Sequence, residues 1–122
     1  MKRTNTLSGE KNLIDNISFD ENDYVTRACQ AIHESDLEFM PPFGYLIGYT
    51  AGVDLDTEDI LIFIPKYSLI GLAKDDEKRL FDIMNRRLTE QGFEVIEEVD
   101  KGGAEFFQIA FPSHFFRLKK IK

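Results

Sequence analysis

Cysteine occurs once in this sequence, at Cys29, and tryptophan not at all. A single thiol excludes an intrachain disulfide and points to a reducing compartment. No stretch approaches the ~18–20 apolar residues that a membrane span needs. The longest apolar run, Ile60–Ile64, is only strand length. The first six residues, Met1 to Thr6, carry Lys2 and Arg3 with no apolar run behind them, which argues against a secretory signal. A cytoplasmic protein that does not enter the membrane is therefore expected. Also missing are the Gly-x-Ser-x-Gly elbow, His-Glu-x-x-His, Cys-x-x-Cys and the dinucleotide fingerprint. Their absence argues against an enzyme, and no cofactor or metal is expected.

What is present suffices for one folded domain. The chain has 122 residues, 43% of them apolar, with 11 phenylalanines. That is enough to bury a core without staples and too apolar for a disordered tail. The net charge of −7 is uneven. Residues 1–16 carry +1 and residues 113–122 carry +4, which leaves −12 on 17–112. Such a body repels nucleic-acid phosphates and favours a protein partner with a basic surface.

Three regions follow: an arm over 1–16, one α+β domain over 17–112, and a basic aromatic tail or edge strand over 113–122. Ser18 with Glu21, or Asp20 with the Phe19–Tyr24 staple, marks the start of a first helix. Its apolar stripe is Val25, Ala28, Cys29 and Ile32, and Pro41-Pro42 stops it. Residues 43–51 alternate as a strand, and Ile60–Ile64 reads as its hairpin partner. Residues 67–72 read as an edge strand or a packed loop. A second helix spans about 74–91, buries Leu80, Phe81, Met84 and Leu88, and ends at Gly92. Residues 93–99 and 104–111 form a second hairpin around Gly102-Gly103. The order α-β-β-α-β-β predicts a two-layer fold, an antiparallel sheet of four to five strands with two helices on one face.

Several clusters invite chemistry. Cys29 and His33 share a helix face, a spacing that suits two zinc ligands or a thiol with its base. Cys29 lies within the apolar stripe, however, where it behaves as a small hydrophobe. The turn holding Asp54, Asp56, Glu58 and Asp59 opens like a calcium loop but lacks its glycine and closing glutamate. Alternation directs Glu97 toward the core unless a bulge at 96–98 returns it to water. The tail His114-Phe115-Phe116-Arg117 mixes aromatic and basic groups, as single-strand nucleic-acid binders do, but the acidic body opposes that use.

The sheet carries bulky apolar groups on both faces, and two helices cover only one. Phe43, Tyr45, Ile47 and Tyr49 would line the other, which calls for a cover from the tail, a homodimer mate or a bound partner. Element order, size and acidity are similar to those of small acidic secretion chaperones, a likeness that ends at element order. The reading is a small acidic interaction module of inhibitor, immunity or chaperone-like type. Its contacts would be Tyr45, Tyr49, Asp54, Asp56, Glu58 and Asp59. The competing reading is a ligand-binding or enzymatic domain that uses the aromatic sheet face as a pocket.

Overall fold

A computed structural model describes residues 4–6, 23–102 and 111–121. Helix α1 spans Tyr24–Phe39. Asp23 is its N-cap, and its carboxylate accepts from the Val25 N–H at 3.0 Å, while Ser18 and Asp20, the expected caps, lie outside the described residues. Val25, Ala28, Ala31, Ile32 and Phe39 form its buried stripe. Met40 N–H closes the end on the Asp36 carbonyl at 3.1 Å, and the two prolines that follow cannot extend it.

Strand β2 covers Thr50–Asp54, and β3 covers Ile60–Pro65. They pair antiparallel, with Thr50 opposite Phe63 and Val53 opposite Ile60. The hairpin is as expected, but its first strand is not. Residues 44–49 form no strand, because Gly44 (φ 80°) and Leu46 (φ 61°) take left-handed backbone angles. The amides of Tyr45 and Leu46 donate to the Asp36 carboxylate, at 2.7 and 3.0 Å, instead of to a ladder. The aromatic alternation is therefore not a sheet face.

After β3, a single 3-10 turn covers Lys66–Leu69, which resolves the ambiguous segment as a packed loop with Leu69 buried. Helix α2 spans Lys74–Glu90 and buries Leu80, Phe81, Met84 and Leu88, as its periodicity predicts. It stops as expected at Gly92, which holds φ 95° and donates its N–H to the Thr89 carbonyl at 3.0 Å. Strand β4 covers Phe93–Lys101.

The partner of β4 is Ser113–Lys120, here β5. The expected partner, 104–111, lies outside the described residues except for its last. The sheet is antiparallel and is completed by β1, Thr4–Thr6, on β2, in the order β1-β2-β3-β5-β4. So residues 113–120 are an interior strand, neither a loose tail nor an edge. Phe115, Phe116 and Leu118 are fully buried, and that burial places the strand between two neighbours.

The two faces of the sheet separate cleanly. Ile60, Ile62, Ile64, Phe116 and Leu118 pack with the helices in one core. Leu61, Phe63 and Phe115 form a second buried cluster, with Phe63 and Phe115 centroids 5.1 Å apart. The alternation of β3 and β5 assigns these residues to opposite sides. Apolar groups on both faces were expected. At these three positions they are buried within the single chain.

Candidate functional site

The residues expected to contact a partner fall into different environments. Tyr45 and Tyr49 are half-buried against the helix-side core. Tyr49 exchanges a hydrogen bond with Cys29, and burial pushes both the phenol and the thiol up from their ordinary values. His33 is exposed on α1. The described residues contain no group of three or more side chains able to hold a metal.

The acidic turn is also divided. Asp54 is 0% exposed, and Asp59 lies near it. Both accept from Arg117 Nη1 at 3.1 Å. A second Asp54 oxygen accepts from the Asp56 N–H at 3.0 Å and tightens the turn. These two acids therefore serve the fold through an arginine on β5. Asp56 and Glu58 stay exposed. The basic character of the last strand thus neutralises the protein's own carboxylates, a pairing that charge counts alone do not reveal.

A bulge between Val95 and Glu97 organises two clusters. Val95 packs on the helix-side core, and beyond the bulge the alternation is inverted. Glu97 approaches Arg117 Nε at 3.6 Å and Lys101 at 3.4 Å. Glu98 and Asp100 face α2 instead. His114 Nε2 lies 2.7 Å from Glu98 and its Nδ1 2.8 Å from Asp100. The ring stacks on Phe81, with centroids 3.7 Å apart and planes 10° apart. Together they floor a cleft of about 480 Å³. Because each ring nitrogen already faces a carboxylate, neither is available as a metal ligand or catalytic base.

A third feature was not anticipated. Among the described residues the most exposed large apolar side chains are Phe43 at 79%, Leu46 at 80% and Ile70 at 85%. Tyr45 reaches from the loop that holds Phe43 and Leu46 to the residue after Ile70: a Cβ added to Gly71 would lie 2.6 Å from the Tyr45 hydroxyl oxygen. The residue before Gly71 is Ile70, and the neighbour of Tyr45 is Leu46. The loop is held from beneath by Asp36, which is buried, and whose carboxylate anchors residues 45 and 46. Gly44 rests on the same carboxylate, where a Cβ would come within 2.7 Å of Oδ2. Signals were present in the sequence: a helix-end aspartate, two prolines and a glycine mark a turn better than a strand.

Comparison with family models, curated proteins and solved structures finds no match to this chain. No helix among the described residues is long and apolar enough to cross a membrane.

Proposed function

We propose that this protein is a small acidic protein-binding module. It contacts a partner with a basic surface through the projecting side chains Phe43, Leu46 and Ile70. The observation that carries this reading is Leu46. A leucine in the left-handed region costs roughly 1–2 kcal/mol. A buried aspartate holds it there, and yet its side chain is 80% exposed. The monomer gains the two amide bonds to Asp36 from that backbone but leaves the leucine side chain in water, where a partner with an apolar pocket would cover it.

Charge supports the choice of partner. The chain carries −7 overall, and Asp75 and Asp76 lie exposed in the first turn of α2, shortly after Ile70. Asp56 and Glu58 are further exposed acids that can steer a basic surface into contact. Asp54 and Asp59, committed to Arg117, leave the contact set. Tyr45 acts from behind, as the support that joins the loop to Gly71.

The test is a photo-crosslinking residue at position 70 in the cells that make the protein. The expected result is a discrete adduct with a basic protein, diminished by Phe43→Ser and by raised salt. Adducts no stronger than those from an exposed site on α2, such as position 78, would remove the reading.

A further inference from the structure

We propose that His114 is a charge-dependent fastener that holds β4 and the Lys66–Leu69 turn onto the body while its ring carries both protons. This inference is independent of the partner-binding reading.

The geometry requires two donors. Carboxylate oxygens stand 2.7 and 2.8 Å from the two ring nitrogens. A neutral imidazole has one N–H, so one carboxylate would then face a lone pair. The ring is not free to turn away, since it is stacked on Phe81 and its side chain is only 12% exposed.

Both acceptors belong to β4, which is an end strand of the sheet among the described residues. Each also ties in a second element. Glu98 accepts from Asn85 of α2 at 2.8 Å. Asp100 lies 3.5 Å from Lys66, which in turn pairs with Glu77 of α2 at 2.9 Å. Lys66 also donates its backbone N–H to the Pro112 carbonyl, just before β5. One imidazolium therefore joins β5, β4, α2 and the 3-10 turn.

The surrounding charges determine the sign. From α2, Lys74, Lys78 and Asp82 also line the cleft, with Lys78 paired to Asp82 at 2.9 Å. From β3, the residue opposite His114 is Ile64, which is uncharged. The described cleft thus has four carboxylates against three ammonium groups, so the imidazolium supplies the charge that brings it to balance. Loss of its proton removes one bond and leaves an unbalanced carboxylate pair 2.8 Å or less from the ring.

The experiment is a pH series on the full chain by NMR. The His114 ring shifts report its protons, and amide hydrogen exchange, corrected for the intrinsic rate, reports protection. The fastener predicts that protection of residues 98–101 and 66–69 falls about tenfold or more in step with ring deprotonation. The amides of α1 should not follow. In His114→Gln the same amides should show no such step. The proposal is overturned if protection ignores the ring titration or if the ring is neutral from the acid end. It is also overturned if the ring keeps both protons until alkaline unfolding, because the fastener would then never open.

Discussion

Leu46 and Arg117 illustrate how single side chains divide the work of this molecule. At Leu46 the backbone is strained and the side chain is unsupported. Glycine there relieves the strain, so Leu46→Gly is expected to raise stability by about 1 kcal/mol, read as a higher urea midpoint. At Arg117 the reverse holds. Its guanidinium is the partner of Asp54, a carboxylate with no exposed surface. Arg117→Met is expected to cost about 3–5 kcal/mol, because it strands a buried charge. Combining it with Asp54→Leu should recover much of that loss, and urea melts of the three variants check the cycle. At this scale the sequence was half legible. It showed that Asp54 and Asp59 crowd a turn and that the C-terminus is basic. It could not show that one basic residue answers those acids, since they are some sixty positions apart.

Elements were legible where one period ran without interruption. The α2 stripe of Leu80, Phe81, Met84 and Leu88 has a single reading, and its stop at Gly92 follows from a positive φ. The segment 43–49 misleads because its alternating aromatics do point inward, at Tyr45, Ile47 and Tyr49, without any ladder. Asp36 captures two amides that a strand would have used. Residues 113–120 read as a tail or an edge strand because their lysines and arginine suit solvent, and that same basic character hid their interior place in the sheet. The β4–β5 pair also carries a pH signature. The hydrogen bond from His114 holds the Glu98 carboxyl below its ordinary range, against the opposing effect of burial. For Asp100, burial works upward, but the His114 bond and the Lys66 charge outweigh it. Depressed carboxylates stabilise the fold above the ordinary carboxylate range, and this contribution is lost as pH falls through the lowered values. The urea midpoint should therefore drop below about pH 4, with a shallower drop in Glu98→Gln. Identical acid slopes in the two proteins would contradict the assignment.

At the scale of the whole molecule, acidity is shared between fold and surface. Arg117, Lys66, His114 and the arginines of α2 pair with the chain's own carboxylates. Arg87, for example, bridges Glu34 and Glu38 between the two helices. In the proposed function, the acids that stay outside this network and the exposed side chains of Phe43, Leu46 and Ile70 are what the molecule would offer a partner. A complex built this way should form faster at low salt than at high salt, while its dissociation rate depends mainly on the apolar side chains. Stopped-flow mixing across a salt series separates the two. The α+β class and antiparallel sheet could be read from element order. The burial of the second face could not, because apolar residues on both sides of a strand look the same whether a neighbour covers them or solvent does.

The most direct measurement compares Leu46→Gly with the parent protein in two assays at once, urea unfolding and binding to the protein captured at position 70. The account predicts unchanged or higher stability together with affinity lowered by tenfold or more. Full affinity in the glycine variant would contradict it, since the strained leucine would then serve no contact.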